Sequence, residues 1–301
     1  MIEIHSLDKT FDRNGPTPVH AVNHLSLTFG EGITGLVGEN GAGKSTLFRL
    51  IAGTIRRDEG EIVIDGVPND TPEARAALFF LPDTPYAPAR YTASQVADFY
   101  SMFYPLDKEL FKSLTTKVNL PLDRKIATFS KGMKRQLFLL IAFSAQCKNL
   151  LLDEAFDGLD PLVMELIREE VLRISIDQKK TIVISSHNID SVQRIADSLT
   201  VLYRGQISEQ KKLSDMGEEL IKYQLISAHE VRAEDLEHLG YRVALCRTSG
   251  SIVSLIVVKQ KGLEEDIKQL YAPSLLETVP LEGTELVTAE MMLAREGAHH
   301  E

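Results

Sequence analysis

The stretch Gly38-Glu39-Asn40-Gly41-Ala42-Gly43-Lys44-Ser45 fits the spacing G-x-x-x-x-G-K-[ST], and Thr46 extends it. An apolar run at 33–37 precedes it, and Leu47, Phe48, Leu50 and Ile51 follow at helical spacing. In such a strand–loop–helix unit the glycines let successive backbone N–H groups turn inward around phosphate oxygens at a helix N-terminus. Lys44 then reaches the β and γ phosphates, and the Ser45 hydroxyl offers an oxygen to Mg²⁺. The segment reads as a nucleotide site. By itself it leaves kinases, GTPases and many other ATPases open.

Moving outward, 150–152 and 181–184 are also nearly continuous apolar runs, each leading into a loop and then a helical pattern. Strands of this kind are buried on both faces, so a parallel sheet covered by helices is expected. Segments 2–7, 19–29 and 61–64 instead alternate, the last ending at Asp65-Gly66, and predict an antiparallel β-layer. A helical insertion is expected over 83–136, with Val96, Phe99, Tyr100 and Phe103 on one helix face. These parts make one α/β domain over 1–208.

A polar stretch at 209–220 follows the Arg204-Gly205 turn and reads as a linker. Beyond it, 221–301 alternates strand and helix as β-α-β-β-α-β with a closing helix at 288–295, and a Ser249-Gly250 turn joins the central hairpin. That is the order of a small α+β, ferredoxin-like sandwich. It carries no catalytic constellation. His299 and His300 read as solvated tail residues.

Composition narrows the function classes. The chain has 301 residues and a net charge of −10, with no dense Lys/Arg cluster, so no nucleic-acid partner is expected. Cys147 and Cys246 match neither a disulfide framework nor a metal spacing and read as apolar residues of a reducing compartment. The start Met1-Ile2-Glu3-Ile4 reads as a strand rather than a secretory leader. The longest apolar stretch, 137–147, falls short of the ~20 residues that cross a bilayer. Any action at a membrane therefore requires another chain to span it.

Leu150-Leu151-Leu152-Asp153-Glu154 is an apolar strand ending in two carboxylates. One can hold Mg²⁺ and the other can orient or deprotonate an attacking water, which assigns Asp153 to the metal and Glu154 to the water. Standing alone, the segment reads equally as a buried strand ending in a solvated acidic turn.

With these residues in order, the first 210 or so positions resemble the ATP-binding cassette family. Phe129-Ser130-Lys131-Gly132-Met133 stands where that family has its signature, Phe156-Asp157-Gly158-Leu159-Asp160 where it has its D-loop, and Ser185-Ser186-His187 where it has its switch histidine. The resemblance implies that Ser130, Lys131 and Gly132 open a helix facing ATP bound by a second subunit, with Asp160 and His187 completing the site. Taken alone, Ser130 reads as a helix N-cap, and Asp160 before Pro161 as another. Phe11, in Lys9-Thr10-Phe11, takes the adenine-stacking place by resemblance; its alternative is a ring in the core of the β-layer.

Two departures stand out. Lys131 and Met133 replace a glycine and a glutamine of the usual signature, in a form similar to bacterial export-type cassettes. Asp83, in Leu81-Pro82-Asp83-Thr84-Pro85, takes the place of the lid-loop glutamine. Its carboxylate is a further candidate oxygen ligand for Mg²⁺, yet it brings negative charge towards the triphosphate.

Seven of the twenty aromatic residues fall between positions 86 and 111, a number that suits either a subdomain core or a docking groove for a membrane partner. The resemblance as a whole implies an ATPase that dimerises, with itself or a relative, around two MgATP. It would sit at the cytoplasmic face of a membrane and drive a separate permease, with export of a peptide, antibiotic or lipid-like cargo expected. Import is the alternative, followed by a soluble cassette of translation or DNA repair.

Overall fold

The computed structural model describes residues 1–13, 15–215 and 218–281, together with 285–286, 288–290 and 292–293. Two compact units divide at Gln210/Lys211. The first contains, in chain order, β1 (Ile2–Phe11), β2 (Val19–Phe29), β3 (Gly32–Val37), α1 (Lys44–Ile51), β4 (Glu59–Ile64), β5 (Val67–Pro68), α2 (Pro72–Ala76) and β6 (Leu78–Leu81). Then come α3 (Ala93–Ser101), α4 (Lys108–Lys117), α5 (Lys131–Ser144), β7 (Asn149–Leu152), α6 (Pro161–Gln178), β8 (Thr181–Ser186), α7 (Asp190–Gln193) and β9 (Ser198–Tyr203), and β10 (Gln206–Lys212) runs across the division.

A six-stranded sheet of order β10-β9-β3-β8-β7-β6 lies beside a four-stranded sheet of order β2-β1-β4-β5. In the larger sheet β3 pairs in parallel with β8 and β9, and β7 with β6 and β8. Every residue of β7 and β8 is buried, as their unbroken apolar runs require. The twofold side-chain alternation of strands sends Leu150 and Leu152 of β7 to one face, where α5 and α6 contribute Phe138, Ile141 and Val171. Leu151 points to the other, among Leu47 and Phe48 of α1 and Ile2, Ile4 and Phe29 of the antiparallel layer. Strands β6 and β9 of this sheet were not among those expected from the sequence, although Leu78–Leu81 is an unbroken apolar run like that of β7.

In the helical insertion, Thr92 and Gln95 form a reciprocal capping box that starts α3. Val96 is buried on it, and the Tyr100 ring meets Phe79 and Phe138. Phe103, expected on the same helix face, falls beyond the last helical residue and is 62% exposed. The apolar stretch around 137–147 is the buried half of α5, all of whose residues from Arg135 to Ser144 are inside. Among the described residues no helix is long and apolar enough to cross a membrane. Cys147 is buried and its thiol is pushed up to about 11 by desolvation, whereas Cys246 is only half-buried.

The stretch read as a linker is strand as far as Lys212, with a single 3₁₀ turn at Leu213–Asp215. Its polarity is that of an outermost strand: Gln210 Nε2 donates to the Thr28 carbonyl at 2.9 Å.

The second unit contains β11 (Leu220–Ile226), α8 (Ala233–Glu237), β12 (Val243–Ser249), β13 (Ile252–Val258), α9 (Leu263–Tyr271) and β14 (Leu275–Val279). Its antiparallel sheet has the order β12-β13-β11-β14, so each βαβ step skips over a strand, as in a ferredoxin-like sandwich. Leu236, Ile267 and Tyr271 from its helices cover one face of this sheet, packed with Leu225 and Leu255. Ala289 and Leu293, in the expected closing helix, are buried with Leu220, Ala244 and Ile256. Met291, Arg295, His299 and His300 lie outside the described residues.

Candidate nucleotide-binding site

The loop from Gly38 to Gly43 joins β3 to α1 at the edge of a cleft of about 400 Å³, which Glu39 to Thr46 line together with Phe11, Asp83 and Glu154. Gly43 caps α1 at φ 110°, and a Cβ there would stand 2.3 Å from the Ala21 carbonyl oxygen, so glycine is required on both counts. The helix begins at Lys44, with Ser45 and Thr46 in its first turn and their N–H groups unpaired within the helix, as a phosphate site needs. Lys44 is 6% exposed, and its Nζ donates to the carbonyls of Gly38 at 2.6 Å and Glu39 at 3.1 Å. Burial holds its ammonium below the usual lysine range, and the nearby carboxylates of Glu154 and Asp153 oppose that shift. Nζ lies 3.9 Å from Glu154 Oε1.

Parallel strands β7 and β8 end side by side, and their C-terminal residues meet. Asp153 is 2% exposed and accepts from Ser185 Oγ at 2.5 Å. The same hydroxyl accepts the Glu154 N–H at 3.0 Å, so one serine fixes both carboxylate residues. Glu154 takes φ 47°, a left-handed conformation uncommon without glycine, and this turn brings its side chain back into the cleft. His187 Nδ1 stands 2.8 Å from Glu154 Oε2, within hydrogen-bonding distance.

Phe11 is 42% exposed on the cleft wall, with Lys9 Nζ 5.5 Å from its ring centroid. The core alternative for this ring is thereby removed. Asp83 also lines the cleft, but its Oδ1 is engaged by Arg135 Nη2 at 2.6 Å.

The segment Ser130 to Gly132 does not line this cleft, although Lys131 shares a neighbouring cavity with Asp83. Ser130 caps α5, accepting the Met133 N–H at 3.1 Å. Asp160 caps α6, accepting the Leu162 N–H at 3.0 Å, with Pro161 at the first helical position. The segment 130–132 packs on 157–158 of its own chain: Lys131 Nζ meets Asp157 Oδ2 at 2.6 Å, and a Cβ on Gly132 would lie 2.6 Å from the Gly158 carbonyl oxygen. Neither Ser130 nor Gly132 lines the cleft of Lys44 and Glu154.

Sequence reasoning missed Ser185 and Arg135 as parts of the site. Ser185 follows the apolar run of β8 as the polar end of many strands does, and Arg135 carries no local signal at all.

A family described as "ABC transporter" matches residues 22–157. The ABC transporter ATP-binding protein YtrB of Bacillus subtilis is 27% identical over 96% of this chain and 98% of its own length. A methionine import ATP-binding protein of Listeria monocytogenes is 33% identical, covering 72% of this chain and 68% of its own. A Nod factor export ATP-binding protein of Rhizobium etli is 31% identical over 68% and 67%. Among solved structures, the ATP-binding cassette MJ0796, a dimer with ADP and Pi, superposes with a TM-score of 0.64 at 20% identity, covering 70% of this chain and 98% of that one. On these likenesses the chain belongs to the ATP-binding cassette family and is an ATPase, the ATP-binding subunit of an ABC transporter.

Proposed function

We propose that two copies of this chain, or one copy and a close relative, close around two MgATP, each copy giving its phosphate loop to one nucleotide and its signature to the other. One observation carries this reading: Ser130 and Gly132 open α5 outside the cleft that holds Lys44 and Glu154. A helix N-terminus offers amides and a positive dipole end to a γ-phosphate. Only a second subunit can bring such a terminus to this cleft.

The residues divide the work by their chemistry. Phe11 offers a face to adenine, the loop amides and Lys44 hold the phosphates, and Glu154 orients and deprotonates water, with His187 holding the carboxylate from its far side. The donor set of Ser45 and Asp153 is all oxygen and suits Mg²⁺, which when bound would neutralise phosphate charge. Asp160 lies where the D-loop would approach the partner.

A separate permease receives the motion at the cytoplasmic face of the membrane. Support for the docking place comes from the aromatic group in the helical insertion, where Phe99 stacks edge-on with Tyr86, Tyr91 and Phe103, and Tyr86 is 69% exposed. Export of a peptide, antibiotic or lipid-like cargo fits the Ser-Lys-Gly-Met signature and the short accessory domain. Import is the second reading, favoured by the likeness to the methionine-import protein.

The experiment is size exclusion of the Glu154→Gln chain with and without MgATP. A nucleotide-dependent doubling of mass is expected; a monomer at saturating MgATP would remove the sandwich. Cargo flux in right-side-out and inverted vesicles carrying the chain and its permease then decides direction.

A further inference from the structure

Arg135 lies in the second turn of α5, five residues after Ser130, and is 3% exposed. Its Nη2 donates to Asp83 Oδ1 at 2.6 Å, while Nη1 reaches the carbonyl oxygens of Pro82 and Asp153, each at 3.4 Å. Pro82 and Asp153 directly follow the neighbouring parallel strands β6 and β7. One guanidinium from the signature helix therefore spans the ends of two strands that border the nucleotide cleft. Asp83, half-exposed, is the carboxylate it holds there.

The charge balance gives this contact its consequence. A carboxylate on the wall of a cleft built for a triphosphate repels the ligand, the more so where low-dielectric walls focus the field. A guanidinium in contact with it brings the local sum to zero and, through its planar fork, fixes where the carboxylate points. Asp83 is half-exposed, so water screens its charge only in part, and removing Arg135 alone leaves that charge facing the phosphates without its partner.

We propose that Arg135 is a positioning residue of the triphosphate site: it neutralises Asp83 and draws that carboxylate aside, so that the cleft accepts MgATP. The inference deepens the reading of this cleft as the MgATP site and rests on it. It also gives Asp83 a role that differs from metal ligation. A carboxylate that binds the metal is needed for affinity, whereas one that is held aside is dispensable once its partner is gone.

The test is a double-mutant cycle in the full chain, with MgATP affinity measured by equilibrium titration on Arg135→Gln, Asp83→Asn and the pair together. Arg135→Gln should bind about tenfold more weakly or worse, Asp83→Asn within about threefold of wild type, and the double variant again within about threefold. A merely structural arginine would give no such rescue. If Arg135→Gln does not fold, the double variant, which removes both charges at once, carries the test by the same threefold criterion.

A double variant at least tenfold weaker than wild type overturns the proposal, as does Asp83→Asn losing tenfold or more, which would make Asp83 a ligand in its own right. A wild-type chain that binds no MgATP would overturn the underlying reading of the cleft as well, and is told apart by the first titration.

Discussion

His187 Nδ1 and Glu154 Oε2 stand 2.8 Å apart across 33 residues of sequence, joined because β7 and β8 pair in parallel, with Leu152 beside Ile184. The pairing holds the carboxylate from the side opposite Lys44, whose Nζ is 3.9 Å from Oε1. Glu154→Gln keeps the shape and the cleft but loses the base. ATP hydrolysis should fall by about 10²–10⁴-fold with MgATP binding preserved. Near-normal turnover in a phosphate-release assay would remove Glu154 from the chemistry.

Lys44 sets function against stability. Its ammonium is buried on carbonyl oxygens, so Lys44→Met should abolish MgATP binding while leaving folding stability unchanged or raised by up to about 2 kcal/mol. The pH dependence follows from the direction of its shift. Between its lowered folded pKa and the ordinary 10.5, the unfolded chain binds more protons than the folded one, so the lysine makes stability rise with pH in that window. Urea melts across alkaline pH should show that slope in the wild type and lack it in Lys44→Met.

Phe11 is exposed enough that truncating it leaves little cavity. Phe11→Ala should cost less than about 1 kcal/mol of stability, against the ~3–5 kcal/mol of a core phenylalanine. Its effect should fall on ATP affinity, by about 1–3 kcal/mol if adenine stacks there. Unchanged ATP affinity in a paired titration and melt would end the stacking assignment.

Gly132 is the point at which the start of α5 approaches the backbone at Gly158. Because a Cβ there would meet the Gly158 carbonyl at 2.6 Å, Gly132→Ala must push the two segments apart. ATP binding at the cleft of the same chain should persist, while ATP-dependent dimerisation and turnover fall, each by about tenfold or more for a loss of ~1.4 kcal/mol at the interface. Dimerisation at wild-type strength would show that the signature does not engage a partner's nucleotide.

The two units each have their own core, and the residues lining the cleft of Lys44 all lie in the first. A chain ending at Lys212, which keeps β10 whole, should fold and bind MgATP through Lys44. A soluble, cooperatively melting protein without nucleotide affinity would instead assign the C-terminal unit a part in building the site.

Much of the core was legible because its signals are local. The run from Leu150 to Leu152 is apolar at every position, and the glycine spacing from Gly38 to Gly43 states its own backbone demands, so strand, loop and helix could be read in place. The β-α-β-β-α-β order of the second unit came from the same kind of pattern. Strand β10 did not, since an edge strand pairs on one side and need not be apolar, and its polar residues look like those of a linker.

What the tertiary structure alone decided concerns pairs of residues far apart in the chain. Sequence named Asp83 and left its charge unbalanced; the fold places Arg135, 52 residues later, against it. Sequence named Asp153 and Glu154; the fold supplies Ser185 between them, 31 residues after Glu154. Phe11 had two readings of equal local form, and only the position of β1 beside the phosphate loop put its ring on a cleft wall rather than in a core. Periodicity and motif spacing report what a residue needs from its immediate neighbours. Which distant group meets that need is fixed by strand order and helix packing, which no local window contains.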